Sequence, residues 1–339
     1  MGLVTLNDIK AARERITPAA RVTPLFEVPF PQPASLPSAA EPSSSDSRLP
    51  TPGSRLYLKA ESLQPMGAFK IRGAYNMISQ LTPEQLTRGV ITYSSGNHGQ
   101  AVAMAAQLLG APAVIVMPTT APKVKVEGAL SYGADVEFAG TTSTDRHTRA
   151  LQLASERGLT VIPPFDHEQI IAGQGTAGLE ILEQCPEVGA IYLPIGGGGL
   201  LSGVAAAVKL SKPSVRIIGV EPEGAPTMKT AIAAGEPVSL PKTGSIADGL
   251  LTIRAGDVTF AHAREFVDEF VTVPDSAIAE AVAWLFRHAR LVVEPSGAAT
   301  TAAVMLGLGD TKGAKAVVAM VSGGNVAPEA FAKYVAASA

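Results

Sequence analysis

Residues 190–202 read Ala-Ile-Tyr-Leu-Pro-Ile-Gly-Gly-Gly-Gly-Leu-Leu-Ser. The apolar run Ala190–Ile195 predicts a buried strand, and Leu200–Leu210 predicts a helix. Each glycine lowers stability by about 0.5–1 kcal/mol relative to alanine in regular structure. A chain reversal needs only one or two glycines, so four in a row indicate a further role. Between a strand and a helix, they indicate backbone N–H groups that wrap a phosphate. A dinucleotide site stays an alternative, because Glu221 follows about 20 residues later.

Strands and helices alternate on both sides of this stretch. We therefore expect an α/β fold whose parallel sheets are covered on both faces. Ligands bind such sheets at the carboxyl ends of the strands, so the loops that follow strands are the candidate sites. The other predicted strands are Arg55–Lys59, Gly89–Tyr93, Ala113–Met117, Val136–Phe138, Thr160–Ile162, Val215–Val220 and Ala316–Val321. The other predicted helices are Ala101–Leu109, Lys123–Tyr132, Thr144–Arg157 and Ile278–Val292.

The composition excludes several classes of protein. Lys and Arg total 27 against 30 Asp and Glu, a formal charge of −3, so no basic surface argues for nucleic acid. The single cysteine, Cys185, cannot form an internal disulfide and indicates a reducing compartment such as the cytoplasm. The uncharged stretch Gly189–Val208 contains Pro194 and, before its apolar run, five glycines, so no membrane helix is expected. Residues 31–54 are rich in Pro and Ser and predict a flexible insertion.

Three further segments carry candidate functional residues. Ser94–Gln100 lies between a predicted strand and a helix, and it forms either an anion site or an ordinary helix cap. Ser322–Asn325, which reads Ser-Gly-Gly-Asn, provides either polar groups in the same crevice or a tight turn. Gly67–Gly73 contains Lys70, which is either a surface lysine or a nucleophilic amine in a partly dry site. Together the loops supply an amine, phosphate donors and polar groups around a ring, as pyridoxal phosphate requires.

In this order, the four motifs resemble those of the threonine/serine dehydratase and serine racemase group of fold-type II pyridoxal phosphate enzymes. The resemblance covers nearly the whole chain except residues 31–54, and it is to the short form without a regulatory ACT domain. It implies two open α/β domains with parallel sheets, a cofactor in the cleft between them, and a homodimer. Residues 1–85 and 165–339 would form the large cofactor-binding domain, and residues 86–164 the small mobile domain.

The resemblance implies how the cofactor is held. Lys70 would bind it covalently, Phe69 would flank its ring, and Asn97 would bond its 3-hydroxyl. Ser322 would face the pyridine nitrogen, where a neutral hydroxyl leaves that nitrogen largely unprotonated and favours elimination over transamination. Glu294–Gly297 resembles a family segment near the ring, with an ordinary turn as the alternative. The phosphate would be bound by Gly196, Gly197, Gly198 and Gly199.

The resemblance also implies substrate contacts. Ser94, Asn97 and His98 would lie near the substrate carboxylate, at a helix N-terminus that suits an anion. Arg146 would close over it from the small domain. Ser95 matches the serine that, in the racemase branch, protonates Cα from the face opposite the lysine.

Two features bear on how far the resemblance extends. The family usually has Ser where this chain has Ala68, so a hydroxyl near the cofactor is missing. Residues 221–227 resemble the cation site of the family, with ligands from the Glu221 side chain, the Ala225 carbonyl and the Thr227 side chain. The neutral Thr227 fits a monovalent ion such as K⁺ at least as well as a divalent ion such as Mg²⁺. The absence of any metal is the alternative.

The implied activity is that of a pyridoxal-phosphate-dependent ammonia-lyase. Lys70 would take the Cα proton, the β-hydroxyl would leave, and the product would hydrolyse to a 2-oxo acid and ammonia. L-threonine and L-serine are the expected substrates. The alternatives are racemisation, indicated by Ser95, and dehydration of a bulkier substrate such as 3-phenylserine or 3-hydroxyaspartate. A non-catalytic binder of a small metabolite is the alternative from a different class.

Overall fold

The computed structural model describes residues 2–31, 53–94, 96–121 and 123–337. Most of the predicted insertion, residues 32–52, and the candidate residue Ser95 lie outside these described residues. The strands are β1 (Leu25–Val28), β2 (Arg55–Ala60), β3 (Val90–Thr92), β4 (Ala113–Met117), β5 (Asp135–Phe138), β6 (Thr160–Val161), β7 (Ala190–Pro194), β8 (Arg216–Pro222), β9 (Glu269–Val273) and β10 (Ala316–Val321). The helices are α1 (Leu6–Ile16), α2 (Ile71–Ile78), α3 (Pro83–Arg88), α4 (Asn97–Leu108), α5 (Lys123–Leu130), α6 (Ser143–Arg157), α7 (Glu168–Gln184), α8 (Gly199–Ser211), α9 (Thr227–Ala234), α10 (Asp257–Phe266), α11 (Asp275–Trp284), α12 (Pro295–Met305) and α13 (Pro328–Ala337).

The larger sheet has the order β1-β2-β10-β7-β8-β9 in the described chain. Its strands are parallel except β1, which pairs antiparallel with β2 at one edge. In β7, Ile191 and Leu193 pack into one hydrophobic core, and Ala190 and Tyr192 pack into another. Successive side chains of a strand point to opposite faces, so this continuous apolar run requires a helical layer on each side.

Two layers of helices meet this requirement. α1, α7, α8, α9 and α10 contribute to the core on one face, and α11 and α12 contribute to the core on the other. α8 is buried along most of its length and starts at Gly199, the last residue of the glycine loop. Packing of α8 on the sheet therefore aims its N-terminus at the carboxyl end of β7.

The smaller sheet has the order β5-β4-β3-β6, with all strands parallel. Its core on one side includes residues of α2 and α4, and its core on the other side includes Ala150 and Leu153 of α6. All four strands lie between residues 86 and 164, where the sequence predicts a small mobile domain. Movement of this unit stays a prediction.

The predicted helix Ile278–Val292 is wrong in its second half. α11 ends at Trp284, Leu285–Ala289 forms a π-helical turn, and Arg290 has a left-handed φ of 58°. The chain then leaves the helix direction, so that Val293 is buried in the core and Glu294 reaches the candidate site. Helical spacing of apolar residues does not reveal such a turn. Across the described residues, no helix is both long and apolar enough to cross a membrane.

Candidate active site

A cavity of about 540 Å³ lies at the carboxyl ends of β3, β7 and β10. Segments far apart in sequence meet there, because parallel strands present their following loops at one edge of each sheet. The structure places every predicted cofactor or substrate residue that it describes in the wall of this cavity: Phe69, Lys70, Ser94, Asn97, His98, Arg146, Gly196, Gly197, Gly198, Gly199 and Ser322.

The glycine loop has a backbone conformation and close packing that leave no room for a side chain. Gly198 has a left-handed φ of 94°, and a Cβ on it would lie 2.8 Å from Cε of Met228. A Cβ on Gly197 would collide with the ring of Phe165. The hydroxyl of Thr259 donates to the Gly197 carbonyl oxygen at 2.7 Å and so fixes the loop from behind. The first N–H groups of α8 have no partner within the helix, and they are suited to bind phosphate oxygens.

Lys70 lies just before α2, in a segment tied to the loop that follows β10. The Phe69 N–H donates to the Ser322 carbonyl oxygen at 3.1 Å, and the buried Ala68 forms an isolated β-bridge with Gly323. Nζ of Lys70 donates to the Pro164 carbonyl oxygen at 2.7 Å. Burial lowers the pKa of Lys70 to about 8. Near neutral pH a useful fraction of the amine is therefore uncharged and nucleophilic.

His98 is buried in the cavity wall and carries no charge. Its Nε2 donates to the Ile162 carbonyl oxygen at 3.0 Å. Burial, with the charge of Lys70 adding to it, lowers the pKa of His98 to about 3. A neutral imidazole contributes no ionic attraction to a substrate carboxylate, so His98 shapes the site and the anion must be neutralised by other groups.

Arg146, near the N-terminus of α6, is a cation available for that purpose. Burial lowers its pKa, and its buried Nε has no hydrogen-bond partner among the described residues. A buried donor without a partner is costly, and an anionic ligand would satisfy it.

Glu294 and Asn325 belong to the same constellation. Nδ2 of Asn97 donates to Oε1 of Glu294 at 2.6 Å, and Nδ2 of Asn325 donates to Oδ1 of Asn97 at 2.7 Å. Burial, and secondarily the charge of Asp248, raises the pKa of Glu294 to about 7. The sequence allows two interpretations of the segment that contains Glu294, an ordinary turn or a part of the site. The structure places Glu294 in the cavity wall. The position of Asn325 in the Ser-Gly-Gly-Asn motif was the only signal for its contact with Asn97.

Asp166 is a supporting residue that the sequence did not indicate. Its carboxylate accepts from the N–H groups of Asp257, Val258 and Thr259 at 2.9–3.1 Å and so caps α10. Because Thr259 holds the glycine loop, Asp166 stabilises that loop indirectly. A helix cap normally comes from an adjacent residue, whereas this cap lies about 90 residues away, so the local patterns of capping could not find it.

The residues of the predicted cation site lie together near the start of α9. The Glu221 carboxylate accepts from the N–H groups of Met228 and Lys229 at 2.7 and 2.9 Å. The Thr227 N–H donates to the Ala225 carbonyl oxygen at 2.9 Å, and its hydroxyl donates to the Thr252 carbonyl oxygen at 2.5 Å. Among the described residues, no group of three His, Cys, Asp or Glu side chains could hold a metal ion. Any cation here would depend mainly on neutral oxygen ligands, which suit a monovalent ion.

The donor set of the cavity fits pyridoxal phosphate. The glycine loop at the start of α8 supplies phosphate donors, and the crowding around Gly197 and Gly198 shows that no side chain belongs there. Lys70 supplies an amine of lowered pKa, and Asn97 and Ser322 supply neutral polar groups to the same space. A phosphate, an aldehyde and a heteroaromatic ring thus find suitable partners in one cavity.

Comparison with known proteins agrees with this fit. Residues 37–323 match the family model described as pyridoxal-phosphate dependent enzyme. The chain is 43% identical over 274 residues to the L-threonine ammonia-lyase of Thermotoga maritima, covering 81% of this chain and 68% of that protein. It is 41% identical over 280 residues to the L-threo-3-hydroxyaspartate ammonia-lyase of Saccharomyces cerevisiae, covering 83% and 86%.

Among solved structures, maize serine racemase superposes with a TM-score of 0.88 and 38% identity, covering 99% of this chain and 98% of that one. The predicted α/β fold with parallel sheets and the resemblance stated above are thereby confirmed. The chain belongs to the family of pyridoxal-phosphate dependent enzymes, in the group that includes threonine dehydratases and serine racemases.

Proposed function

We propose that the protein is an ammonia-lyase that eliminates water from L-threonine or L-serine and yields a 2-oxo acid and ammonia. The observation that supports this most directly is the amine of Lys70, whose lowered pKa and position in the same cavity as the glycine loop suit it for both cofactor attachment and proton transfer. The T. maritima relative, an L-threonine ammonia-lyase by name, supports the same activity.

Each part of the cavity contributes one task. Pyridoxal phosphate, when bound, supplies the electron-withdrawing system that acidifies the Cα–H bond of the amino acid. The glycine loop binds its phosphate, and Asn97 and Ser322 bind the ring through neutral groups. Nζ of Lys70 removes the Cα proton, for which its uncharged form is required.

The substrate carboxylate lies, in this proposal, between Ser94 and Arg146. Ser94 stands where β3 leads into α4, and the guanidinium of Arg146 supplies the positive charge that the neutral His98 cannot. An anion paired with Arg146 would satisfy its buried Nε.

Racemisation stays the closest alternative. Ser95 lies outside the described residues, but its neighbours Ser94 and Gly96 line the cavity. Maize serine racemase has nearly the same fold over the whole chain. Dehydration of 3-hydroxyaspartate is a further alternative, supported by the yeast relative. A bulkier substrate such as 3-phenylserine, and a non-catalytic binder, stay as predicted alternatives.

Cofactor attachment is tested by colour. The purified protein with added pyridoxal phosphate should be yellow, and borohydride should abolish its visible band. Lys70→Ala should lack the band and the activity, whereas Lys10→Ala, an exposed lysine on α1, should keep both. A colourless wild-type protein would contradict the proposal.

Substrate choice is tested with a panel of β-hydroxy amino acids, following both 2-oxo acid formation and optical rotation. Formation of 2-oxo acid from threonine and serine supports the lyase. Loss of optical rotation from serine without 2-oxo acid would favour the racemase instead.

We further propose a cytoplasmic homodimer in which residues 86–164 move as a small domain and a cation, K⁺ or Mg²⁺, binds at Glu221, Ala225 and Thr227. The support is the family resemblance and the closeness of these three residues near the start of α9. Sedimentation measures the dimer. Activity with Na⁺, K⁺ or Mg²⁺, in wild type and in Glu221→Gln, measures the cation, whose effect should disappear in the variant.

A further inference from the structure

Asn325 begins a line of hydrogen bonds that ends in the candidate active site. Its Nδ2 donates to the Met66 carbonyl oxygen at 2.9 Å and to Oδ1 of Asn97 at 2.7 Å. Nδ2 of Asn97 in turn donates to Oε1 of Glu294 at 2.6 Å. Asn97 and Glu294 line the cavity, whereas Asn325 and Met66 do not.

The direction of this line is set at its start. A backbone carbonyl can only accept, so the atom of Asn325 that faces Met66 must be the amide nitrogen. That nitrogen has a second N–H, which reaches Asn97, and the facing atom of Asn97 must therefore be its oxygen. The NH₂ group of Asn97 is thus left on the side of the cavity, where one N–H reaches Glu294 and the other is available to a ligand.

Two glycines leave space for Asn325 and Glu294, the residues at the two ends of this series of hydrogen bonds. Gly67 has a left-handed φ of 81°, and a Cβ on it would collide with the amide of Asn325. A Cβ on Gly323 would collide with Oε1 of Glu294. The Gly324 N–H donates to the Gly67 carbonyl oxygen at 2.9 Å and holds the two segments together. Asn325 is therefore held by close backbone packing and cannot easily turn its amide over.

We propose that Asn325 is a positioning residue that keeps the NH₂ group of Asn97 turned toward the cavity as a hydrogen-bond donor. The inference rests on the proposed function, in which Asn97 donates to the 3-oxygen of the cofactor ring. If the amide of Asn97 turned over, its oxygen would face both that 3-oxygen and the Glu294 carboxylate, and two acceptors would repel it.

Two substitutions separate this role from a general loss of stability. Asn325→Ala removes the donor, and Asn325→Asp places an acceptor of the same shape against the oxygens of Met66 and Asn97. At pH 8 we expect the dissociation constant of pyridoxal phosphate, titrated through the visible band, to rise about fivefold in the first and about 20-fold in the second. Asn7→Asp, an exposed position on α1, is the matched control and should bind as wild type does.

The pH dependence gives the second readout. When the introduced carboxyl is protonated it regains an O–H donor, so the affinity ratio of Asn325→Asp to wild type should move toward 1 as the pH falls from 8 to 6. Glu294, which accepts from Asn97 and has a pKa of about 7, also titrates over this range. Asn325→Ala shares that titration and introduces no titratable group, so it is the reference, and the dissociation constant of Asn325→Asp should fall relative to that of Asn325→Ala as the pH falls.

A double-mutant cycle shows whether Asn325 acts through Asn97. Adding Asn325→Ala to Asn97→Ala should change the dissociation constant by less than about twofold, since the group to be positioned is already absent. Effects that multiply, or variants that melt earlier but bind the cofactor as wild type does, would overturn the inference. If Asn325→Asp does not fold, the alanine cycle decides alone. A colourless wild type would instead refute the proposed function.

Discussion

Burial lowers the pKa of Lys70 and so makes its amine reactive near neutral pH. Its pKa falls to about 8 because the ammonium is poorly solvated in the cavity. At pH 7 roughly one tenth of the amine is then uncharged, against well under one in a thousand for an exposed lysine. The neighbouring sequence Gly-Ala-Phe-Lys provides no charge that would produce this shift, so the shift depends on the fold.

This lowered pKa predicts how cofactor uptake depends on pH. Only the neutral amine attacks an aldehyde, so the rate at which cofactor-free protein gains the yellow band should rise tenfold per pH unit and level off near pH 8. N-acetyl-lysine, mixed with the cofactor as a reference, should continue to rise until about pH 10.4. Parallel pH profiles for protein and reference would contradict the prediction.

Arg72, two residues after Lys70, lies in a fully buried ion network. It pairs with Glu61 at 2.7 Å and with Glu180 at 2.6 Å, and Lys59 pairs with Glu180 at 2.6 Å. Although burial alone would raise the pKa of Glu61, the charge and hydrogen bonds of Arg72 hold it below its ordinary value. The network ties α2 and α7 to the end of β2, and therefore supports the segment that presents Lys70.

Replacement of Arg72 should strongly destabilise the folded protein. Arg72→Met should lower the free energy of unfolding by about 3–5 kcal/mol, because it leaves buried carboxylates with too few partners. Arg13→Met, which breaks an exposed pair with Glu183, should cost less than about 1 kcal/mol. Urea denaturation measures both. The unpaired Glu61 would have a raised pKa, so the loss should be smaller at pH 5 than at pH 8. Equal losses in the two variants would refute this account.

The glycine loop can bind a phosphate because it has no side chains between its backbone and the cavity. Gly196–Gly199 joins β7 to α8 with no side chain between the backbone and the cavity, and Phe165, Met228 and Thr259 fill the space behind it. The α10 helix holds the loop through Thr259. A phosphate would therefore meet a surface of N–H groups that is already in place.

Two glycine substitutions distinguish strain from loss of this surface. Gly198 and Gly235 both have left-handed φ, of 94° and 78°, but a Cβ meets nothing within 4 Å at Gly235. Each alanine substitution should cost about 1–2 kcal/mol of stability through backbone strain. Only Gly198→Ala should also weaken pyridoxal phosphate binding, by about tenfold or more, because it displaces the loop. Cofactor titration of both variants measures this, and equal affinities would contradict it.

At the level of the whole chain, the cavity exists only because two sheets present their loops to each other. An ion pair spans this cleft, between Lys125 of α5 beside the smaller sheet and Asp248, which belongs to the part of the chain that forms the larger sheet. Both residues line the cavity, with side chains 18% and 55% exposed. If residues 86–164 move, this pair favours the closed arrangement and is screened by salt.

Removal of the pair should therefore weaken substrate binding modestly. Asp248→Asn should raise KM about twofold to fivefold, consistent with the small value of a partly exposed ion pair. The KM of the wild type should rise more steeply with ionic strength than that of the variant, in which salt screens only the attraction between Arg146 and the substrate. Glu127→Gln, which breaks an exposed pair with Lys123 on α5, is the control and should leave KM unchanged. Identical salt dependence in wild type and Asp248→Asn would disprove the role.

Much of this protein follows from the sequence alone. The run of branched residues in β4 and β7, the glycines between β7 and α8, and the alternation of strands and helices predict parallel sheets with a phosphate loop. Residues that precede or follow a strand, such as Ser94, Gly196 and Ser322, can be placed in this way because the sheet itself brings strand ends together. These features depend on neighbours in the chain, and local patterns report them.

Only the tertiary structure decided the rest. The partners of Asn97 are Glu294 and Asn325, and the cap of α10 is Asp166, all far away in the sequence. Hydrogen bonds and ion pairs depend on distance in space, and the same side chains would suit many surface positions. The pKa of Lys70 has the same origin, because desolvation is a property of the cavity as a whole.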